Sequence, residues 1–478
     1  MNITPPFDEA GIAYQQTRKA HWDSVAKKRD HWRGMGRWYH RRLLEIYRYL
    51  VNPNQRILEI GCGAGSLIAH LQPSHAVGID FSAEMITRAK QYHPEIEYHQ
   101  IDANDLSSLD GKFDVIIFSD TVNDLWDVQR ALEQVRKFCA PHTRLILNFY
   151  NHLWQLPLTI AQKLNLAAPM LHQNWLTPED IDNMLRLAGF ESIRSTQEIL
   201  WPLPLSGFAN RYLVKLWPFH DFALSNFVIA RPAPQPAPGQ PSVSVVIAAR
   251  NEAGNIKSIF ERVPKMGSRT EIIFVEGHSH DNTYQTIADE IPLHPSTPSL
   301  LLRQAGIGKA DAIRLGFEKA TGDILMILDA DLTVPPEDLP RFYDAIVSGK
   351  GEFINGVRLV YPMEKEAMRT LNFIGNKFFS MAFSWLLGQP IKDTLCGTKV
   401  MWRKDYEKIA ANRSYFGDFD PFGDFDLIFG AAKLNRKIID LPIRYRDRTY
   451  GTTNISRWRH GILLFRMVAF AARGIKFV

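Results

Sequence analysis

The stretch RILEIGCGAGSL, from Arg56 to Leu67, joins a short apolar segment to a glycine-rich turn. The run RILEI predicts a buried strand over Arg56–Ile60, and the apolar pattern of SLIAHL predicts a helix directly after the turn. The turn contains three glycines spaced two residues apart, Gly61, Gly63 and Gly65. Glycines allow a backbone to approach a ligand closely, so the stretch predicts a ligand site at the carboxyl end of this strand.

The alternation of strands and helices continues downstream. AVGID predicts a strand ending at Asp80, EYHQIDAND one ending near Asp102, and FDVIIFSD one beginning at Phe113. Strands that alternate with helices of about a dozen residues predict a doubly wound, mainly parallel sheet. A carboxylate closing the second strand is placed to accept hydrogen bonds from ribose hydroxyls. The spacing G-x-G-x-G, with Glu59 two residues before its first glycine, favours a ligand that carries positive charge over a pyrophosphate.

LEIGCGAG, GIDFSAEMI, IDANDL and FDVIIFSD resemble the successive motifs of class I S-adenosylmethionine-dependent methyltransferases. The resemblance covers roughly residues 40–195 and includes the late stretch NWLTPEDIDNMLRLAGFE. It implies a Rossmann-like fold that binds S-adenosylmethionine; a scaffold of the same fold without turnover is the alternative. The residues that it implies for the cofactor are Glu59, Gly61, Gly63 and Gly65 at the methionine part, Asp80 at the ribose, Asp102 and Ala103 at the adenine, and Ser119 at the sulfonium.

The methyl acceptor is not indicated by any motif. A base is needed only where the accepting atom carries a proton. The candidate bases are Tyr14, His40, Tyr150 and His152. Each of them fits a packed aromatic or a surface histidine equally well, so the sequence does not select among them.

The stretch RPAPQPAPGQP, from Arg231 to Pro241, separates the two halves of the chain. Alternating prolines cannot form a helix interior or a central strand. At 478 residues the chain is also too long for one ordinary core. We therefore predict two α/β domains, at 1–230 and 242–478, joined by a semi-rigid proline-rich linker at 231–241 and able to fold separately.

The strand and helix pattern restarts after the linker. SVSVVIAARNE, EIIFVEG and GDILMILDADL predict buried strands, and GKADAIRLGFEKA predicts a helix. Asp329 and Asp331 follow the third strand, where carboxylates buried without partners would cost free energy. Mg²⁺ or Mn²⁺ would satisfy them, because such ions commonly bridge protein carboxylates and a diphosphate. The alternative is that these two aspartates end a strand at the protein surface and bind no metal.

The ordered series VVIAARNEAGNI, FVEGHSHDNT, GKADAIRLGF and DAD resembles family 2 glycosyltransferases of the GT-A type, especially polyprenyl-phosphate (dolichyl-phosphate-like) enzymes. The resemblance covers roughly residues 242–455 and implies inverting, metal-dependent transfer from a nucleotide sugar. The nucleotide-sugar residues that it implies are Ala248, Arg250, Glu252, Glu276, Lys309, Asp311 and Asp329, with Asp329 and Asp331 as metal ligands. The sequence departs from the family at Gly277, which replaces an aspartate, and at Thr453-Asn454, which replace Ser-Lys.

Later segments supply the catalytic residues that the resemblance implies. Asp393 and the turn Cys396-Gly397 would border the reaction centre, and Asp424 or Asp426 would face the acceptor. Arg448 would hold a phosphate, since the planar guanidinium binds phosphate in a bidentate manner. The acceptor is then a phosphate or a hydroxyl, with a lipid-linked polyprenyl phosphate among the choices. A nucleotidyltransferase, or a non-catalytic binding module in one half, is the alternative.

Charge is concentrated at the end of the chain. Residues 431–478 hold eleven Lys and Arg against two Asp, which gives +9 and leaves −4 for all preceding residues. Arg459, Arg466 and Arg473 recur every seven residues in an otherwise apolar helix, which suits an anionic membrane surface. Packing of this helix on its own domain or on a partner subunit is the alternative. The pattern favours anionic substrates or membranes, and we expect no nucleic-acid partner.

The remaining composition indicates a cytoplasmic protein, peripheral to the inner face of a membrane if the basic helix binds there. The N-terminal MNITPPFDEAG has neither the basic nor the apolar region of a signal peptide. We expect no spanning helix, because every apolar run is shorter than about 18 residues. The three cysteines lie far apart without metal-ligand spacing, which fits a reducing compartment.

Overall fold

A computed structural model describes residues 9–28, 36–164, 171–358, 360–361, 370–412, 424–446, 448, 450 and 457–478. The chain divides into two compact units, Met1–Pro234 with Phe477–Val478, and Gln235–Lys476. Each unit contains one seven-stranded sheet.

The sheet of the first unit has the strand order β3-β2-β1-β4-β5-β7-β6. Its strands are β1 Arg56–Ile60, β2 His75–Asp80, β3 Glu97–Gln100, β4 Phe113–Ser119, β5 Cys139–Tyr150, β6 Phe190–Glu198 and β7 Ser225–Pro232. Neighbouring strands among β3, β2, β1, β4 and β5 pair in parallel. Strand β7 runs antiparallel to both β5 and β6. This arrangement confirms the mainly parallel sheet that the sequence predicts and adds an antiparallel edge.

Helices pack on both faces of this sheet. They are α1 Glu9–Lys28, α2 Gly36–Leu50, α3 Ser66–Ala69, α4 Ala83–Tyr92, α5 Val128–Val135, α6 Gln155–Lys163, α7 Pro178–Leu187 and α8 Gly207–Arg211. Strand β4 shows why both faces must be covered. Its Ile116 and Phe118 belong to one hydrophobic cluster, and Val115 and Ile117 belong to the other. An unbroken apolar run of this kind is typical of a strand buried on both sides.

The glycine-rich turn after β1 is packed too tightly for larger residues. Gly65 has φ +75°, in the left-handed region. A Cβ atom at this position would lie 2.1 Å from the Tyr98 hydroxyl oxygen. Glycine is therefore required here by the backbone conformation and by the close approach of the tyrosine ring.

The first residues of the proline-rich stretch belong to the first unit. Arg231 and Pro232 are the last residues of β7, and Arg231 is buried. The Arg231 guanidinium donates to Glu191 Oε2 from Nε at 3.0 Å and from Nη2 at 2.7 Å. The Ala233 amide also donates to the Gly189 carbonyl at 2.8 Å, and the first unit extends to Pro234. The first four residues of the predicted linker therefore belong to the first unit.

The last residues of the stretch are hydrogen-bonded within the second unit. The Ala237 amide donates to the Val347 carbonyl at 2.7 Å, and the Tyr343 hydroxyl donates to the Pro241 carbonyl at 3.2 Å. The prediction of an extended arm over the whole stretch therefore differs from the structure. The main chain from Ala237 onward forms part of the second unit.

The sheet of the second unit has the strand order β10-β9-β8-β11-β13-β12-β14. Its strands are β8 Val243–Ala249, β9 Thr270–Glu276, β10 Ser299–Arg303, β11 Ile324–Ile327, β12 Phe353–Val357, β13 Lys399–Trp402 and β14 Ile438–Pro442. Strand β8 pairs in parallel with both β9 and β11. The carboxyl ends of these three strands consequently meet at one edge of the sheet, which is where ligands bind in such folds.

The helices described in the second unit are α9 Ile256–Arg262, α10 Thr283–Glu290, α11 Lys309–Lys319, α12 Leu339–Val347, α13 Thr370–Leu387, α14 Arg403–Ala411, α15 Asp424–Lys433 and α16 Arg457–Ala471, followed by a π-helical turn at Ala472–Lys476. Helix α11 confirms the helix predicted in GKADAIRLGFEKA. The apolar residues of β8, β9 and β11 form the centre of the hydrophobic cluster of this unit.

The C-terminal helix has one packed face and one exposed face. Leu464 and Met467 of α16 are buried, and the Phe465 ring lies 5.1 Å from that of Phe379 on α13. Ile462 and Arg466 are exposed. Helix α16 therefore packs on its own unit, as the alternative interpretation holds, and still presents a basic face. In the described ranges, every helix is too short or too polar to cross a bilayer.

Phe118→Ala should destabilise the first unit selectively. Phe118 is 0% exposed at the centre of its sheet, and truncation of such a phenylalanine costs about 3–5 kcal/mol. Hydrogen exchange followed by mass spectrometry should show lost protection in peptides from β1 to β7 and unchanged protection in peptides from 243–357. Leu156→Ala, at an exposed position of α6, is the control and should change little. Equal loss of protection in both variants would contradict this assignment of the core.

Candidate active sites

In the first unit, a cavity opens at the carboxyl ends of β1, β2 and β4. It is lined by six of the eight residues predicted for the cofactor, namely Gly61, Gly63, Asp80, Asp102, Ala103 and Ser119. These residues lie far apart in sequence and come together because the strands that precede them are neighbours in the sheet.

Asp80 ties the glycine-rich turn to the end of β2. Its Oδ2 accepts a hydrogen bond from the Gly63 amide at 2.9 Å, and its Oδ1 accepts one from the Ser82 amide at 2.9 Å. Burial raises the pKa of Asp80 to about 6. The carboxylate therefore lines the cavity from a fixed position, as a residue that receives hydroxyl groups requires.

Asp102 is held in a similar way on the next loop. The Asn104 amide donates to its Oδ1 at 2.8 Å, and Gln15 Nε2 donates to its Oδ2 at 2.5 Å. Burial raises the pKa of Asp102 above its usual value. The neighbouring Ala103 leaves an apolar wall, so this side of the cavity can accommodate a flat ring between apolar and polar contacts.

Glu59 and Gly65 do not line the cavity. Glu59 is 2% exposed, and its Oε2 accepts a hydrogen bond from the Ile68 amide at 3.2 Å. Burial raises the pKa of Glu59 to about 8. In this structure Glu59 supports the start of α3 from beneath the glycine turn, and its predicted contact with the cofactor remains a prediction.

Helix α1 contributes residues that the motifs do not indicate. Tyr14, Arg18 and Trp22 recur every four residues on one face of this helix and line the cavity. Arg18 Nε lies 2.8 Å from Asp124 Oδ1, and Trp22 Nε1 donates to Asp124 Oδ2 at 2.5 Å. The Tyr14 ring packs on Trp126 with centroids 5.1 Å apart. The helical spacing of these side chains was the signal that could have identified the helix as a cover for the site.

Of the four candidate bases, only Tyr14 is among the cavity-lining residues that the structure describes. Tyr150 packs behind the cavity against Tyr39, with ring centroids 6.2 Å apart. The motifs did not indicate Asp120, which follows Ser119 and lines the cavity. Tyr39 Oη donates to Asp120 Oδ1 at 2.7 Å, and burial raises the pKa of Asp120 to about 6.

In the second unit, Arg448 connects two of the predicted acidic residues. Its Nη1 donates to Glu252 Oε1 at 3.0 Å and its Nη2 donates to Asp331 Oδ2 at 2.7 Å. Glu252 follows β8 and Asp331 follows β11, so the guanidinium spans the ends of adjacent strands. Burial raises the pKa of Glu252 to about 7, although Arg448 opposes the shift. A cation is thus already held where the resemblance implies the donor phosphates.

Lys309 and Asp329 form a second pair at this edge. Lys309 Nζ lies 2.5 Å from Asp329 Oδ1. Burial would raise the pKa of Asp329, but the ammonium outweighs burial and lowers it. A Cβ atom at position 397 would lie 2.1 Å from Asp329 Oδ2, so Gly397 allows the backbone to approach this pair. Gly397 of the predicted turn Cys396-Gly397 thus lies beside Asp329, and the place of this turn at a reaction centre stays a prediction.

The other predicted donor residues lie around the same edge of the sheet. Glu276 ends β9 opposite Ala249, and its Oε1 accepts from the Ser279 amide at 2.5 Å. Ala248 is half-buried and Arg250 is exposed just after β8. Asp311 Oδ2 accepts from the Gly306 amide at 3.2 Å, which fixes the loop before α11.

Asp393, which is predicted to be catalytic, is buried beside an arginine. It is 0% exposed and receives two hydrogen bonds from the Arg358 guanidinium, at 2.8 Å to Oδ2 and 2.9 Å to Oδ1. Burial would raise the pKa of Asp393, but Arg358 outweighs burial and lowers it. The carboxylate holds the Arg358 guanidinium in this structure, and the catalytic role predicted for Asp393 stays a prediction.

Asp426 also has an internal partner. It is buried on α15, and its Oδ2 accepts from Arg314 Nη2 on α11 at 3.2 Å. The side chain of Asp424 lies outside the described residues, as do Thr453-Asn454. The acceptor-facing role predicted for Asp424 or Asp426 therefore stays a prediction, and the ion pair indicates a structural contribution for Asp426.

The oxygen donors at this edge fit a divalent cation. Asp331 and Asp329 supply carboxylate oxygens, the ligands that Mg²⁺ and Mn²⁺ prefer. Arg448 and Lys309 satisfy these carboxylates, which shows that the edge requires positive charge. In the described part of the chain, no cluster of three or more acidic, His or Cys side chains is arranged to hold a metal. Further ligands would have to come from the phosphates of a bound nucleotide or from water.

Two family models match the chain, one in each unit. Residues 32–195 match a methyltransferase domain, and residues 244–410 match glycosyl transferase family 2. The chain therefore contains a methyltransferase domain followed by a family 2 glycosyltransferase domain. The second match favours glycosyl transfer over nucleotidyl transfer for the site at Asp329 and Asp331.

Named relatives match the second domain. The undecaprenyl-phosphate 4-deoxy-4-formamido-L-arabinose transferase of Aeromonas hydrophila is 35% identical over 111 residues, covering 22% of this chain and 34% of the relative. The dolichol-phosphate mannosyltransferase of Pyrococcus furiosus is 33% identical over 109 residues, covering 22% of this chain and 30% of the relative. The undecaprenyl-phosphate 4-deoxy-4-formamido-L-arabinose transferase of Pectobacterium atrosepticum is 33% identical over 219 residues, covering 45% of this chain and 63% of the relative. The chain thus spans about a third of the length of the first two relatives.

Solved structures match the first domain. A SAM-dependent methyltransferase from Thermotoga maritima is 18% identical, with a TM-score of 0.34, over 46% of this chain and 98% of that chain. The magnesium protoporphyrin IX methyltransferase of Synechocystis, solved with bound SAH, is 19% identical, with a TM-score of 0.28, over 48% and 90%.

Glu59→Gln should stabilise the first unit at high pH and have little effect at low pH. The folded pKa of about 8 exceeds the ordinary value of 4.5. Between these values the folded state keeps a proton that the unfolded state releases, so the stability contributed by Glu59 falls as pH rises. Thermal unfolding at about pH 5 and about pH 8 should show the gain only at the higher pH. Glu133→Gln, an exposed change of the same charge on α5, is the control; an equal gain at both pH values would contradict the prediction.

Proposed function

We propose that the chain is a bifunctional transferase, which transfers a methyl group in the first unit and a glycosyl group in the second. One observation carries the proposal. In each unit, residues predicted separately from the motifs lie together at the carboxyl ends of neighbouring parallel strands. A decayed domain would not need to keep these acidic residues in fixed positions.

S-adenosylmethionine is the methyl donor in this proposal. Asp80 and Asp102 line the cavity at the ends of successive elements, where they would bind the ribose hydroxyls and the adenine edge. The turn at Gly61 and Gly63 leaves room for the methionine part next to Ser119. The match of residues 32–195 to a methyltransferase domain supports the same class of ligand.

A nucleotide sugar is the glycosyl donor in this proposal. Glu276 and Ala248 would contact the nucleoside, since they lie at the ends of β9 and β8, and Arg250 follows beside them. Arg448 and Lys309 would turn from their present carboxylate partners toward the diphosphate. Mg²⁺ or Mn²⁺ held by Asp329 and Asp331 would supply charge stabilisation to the leaving group.

The transfer itself needs cations more than it needs a base. An acceptor oxygen attacks the anomeric carbon while the bond from that carbon to the diphosphate oxygen breaks, and the electron pair leaves with the nucleotide diphosphate. Lys309 and Arg448 stabilise the departing charge. A phosphate acceptor is already ionised at neutral pH, which agrees with Asp393 and Asp426 both being engaged in ion pairs. Polyprenyl phosphate is the acceptor that the names of the relatives support.

Asp329→Asn and Asp331→Asn should abolish the metal dependence of nucleotide binding. Calorimetric titration of the full chain with UDP and with GDP should show binding of one of them tightened by Mn²⁺ by at least about tenfold. Each variant should bind equally with and without Mn²⁺, because Lys309 and Arg448 lose counter-charges while the metal loses its ligands. The readout is thus the Mn²⁺ effect and not the absolute affinity.

The control for this experiment is Asp344→Asn, an exposed aspartate on α12. It should retain the Mn²⁺ effect. Binding of S-adenosylmethionine should be the same in all variants, which shows that the first unit is intact. An Mn²⁺ effect that persists in both Asp329→Asn and Asp331→Asn would contradict the metal assignment.

We also propose that the exposed basic face of α16 contacts an anionic membrane surface. Ile462 and Arg466 of α16 are exposed, as is Arg473 in the turn that follows the helix. Exposed apolar and basic side chains of this kind bind membranes through apolar burial and charge together. A lipid-linked acceptor would require the second unit to work at such a surface.

The double variant Arg466→Glu with Arg473→Glu should reduce co-sedimentation with vesicles containing phosphatidylglycerol. Each arginine near an anionic surface contributes about 1 kcal/mol, so two charge reversals should lower binding by about a hundredfold or more. Lys257→Glu with Lys265→Glu makes the same change of charge at exposed positions elsewhere in this unit. Equal loss of binding in the two double variants would indicate a dependence on net charge alone and refute a role for α16.

A further inference from the structure

Asp120 has an unusual backbone conformation in the methyltransferase domain. It follows β4 directly after Ser119 and has φ +56°, in the left-handed region. Residues other than glycine rarely adopt this conformation, and where surroundings enforce it the residue often has a function. The side chain lines the cavity beside Ser119, the position expected to face the sulfonium.

Buried side chains hold one oxygen of this carboxylate from behind. Tyr39 Oη lies 2.7 Å from Asp120 Oδ1, and Asn148 Nδ2 donates to the same oxygen at 2.5 Å. Tyr39 also contacts Ser225 Oγ at 3.1 Å, and Tyr47 Oη donates to Asn148 Oδ1 at 2.8 Å. Both hydrogen bonds found for the carboxylate therefore arrive at Oδ1, which orients Oδ2 for another partner.

The charges of the cavity limit what that partner can be. Four aspartates line it, Asp80, Asp102, Asp120 and Asp124. Arg18 is the one cation among the described lining residues, and it is paired with Asp124. An anionic acceptor, such as a carboxylate or a phosphate, would be repelled here. A neutral hydroxyl or an amine would instead donate a hydrogen bond to Asp120.

We propose that Asp120 Oδ2 is the contact for the methyl acceptor, and that the acceptor is an uncharged hydroxyl or an amine. This inference rests on S-adenosylmethionine being the methyl donor, as proposed above. Asp120 would align the attacking atom with the methyl carbon through the N–H or O–H group of the acceptor. Tyr39 and Asn148 act through Asp120 and are positioning residues.

The step balances without a further reactant. The acceptor oxygen or nitrogen forms a bond to the methyl carbon, and the bond between that carbon and sulfur breaks. The electron pair of the broken bond goes to sulfur, which gives S-adenosylhomocysteine. The proton of the acceptor passes to Asp120 Oδ2 and from there to solvent when the product leaves.

Sinefungin tests the position of Asp120 without knowledge of the acceptor. In this analogue of S-adenosylmethionine, an aminomethine group replaces the methylsulfonium, so a protonated amine lies where the methyl group would lie. S-adenosylhomocysteine lacks any group there. Calorimetric titration of the full chain should therefore show sinefungin binding at least about tenfold more tightly than S-adenosylhomocysteine, because a charge-assisted hydrogen bond to Asp120 is added.

Asp120→Asn should remove this preference and leave the affinity for S-adenosylhomocysteine unchanged. Asparagine tolerates the left-handed conformation and its amide oxygen can still accept from Tyr39. The ratio of the two dissociation constants should fall to within about twofold. Asp110→Asn, an exposed aspartate of the same unit, is the matched control and should keep the preference.

The outcomes separate this inference from the function on which it rests. If the wild-type chain binds both ligands equally, or if Asp120→Asn keeps the preference, the role of Asp120 is refuted while the methyl donor stands. If the wild-type chain binds neither ligand, the proposed donor is wrong and the inference fails with it. A crystal structure of the wild-type chain with sinefungin should place the amine about 3 Å from Asp120 Oδ2; an amine directed to other residues would refute the role without any variant.

Discussion

Carboxylates gathered at the ends of buried parallel strands are the constraint on which both units depend. A strand buried on both faces must be apolar, so polar chemistry can begin only where the strand ends. Acidic side chains that meet there need partners. In the first unit Asp80 and Asp102 obtain backbone and side-chain amides. In the second unit Asp329 and Asp331 obtain Lys309 and Arg448.

This difference in partners separates two kinds of ligand site. Amide donors leave a cavity with net negative charge, suited to a sulfonium and to hydroxyl groups. Ammonium and guanidinium partners can instead exchange a carboxylate for a phosphate, because both are oxyanions with similar hydrogen-bond geometry. The same α/β layout therefore supports a cationic ligand in one unit and an anionic donor in the other.

Features that depend on neighbouring residues in the sequence, such as strands and turns, could be predicted. Apolar runs gave the strands that end at Ile60 and Asp80, and glycine spacing located the first turn. Partners distant in sequence were not predictable, since no local pattern relates Arg448 to Glu252, 196 residues away. For the same reason Asp120 was missed, and the ion pair between Asp393 and Arg358 was not predictable. Residue type indicates that an acid needs a partner, but only the fold shows which one.

The position of β7 affects how the first unit can be made. This strand is the last of its sheet in sequence, yet it lies between β5 and β6. During synthesis β6 has no neighbour in the sheet until Pro232 has left the ribosome, and β5 keeps an open edge until then. Open strand edges promote aggregation. A fragment that stops at the end of the matched family, at residue 195, would keep that edge permanently. The proline-rich stretch follows β7 directly, so all seven strands of the first sheet have been synthesised before the first strand of the second sheet.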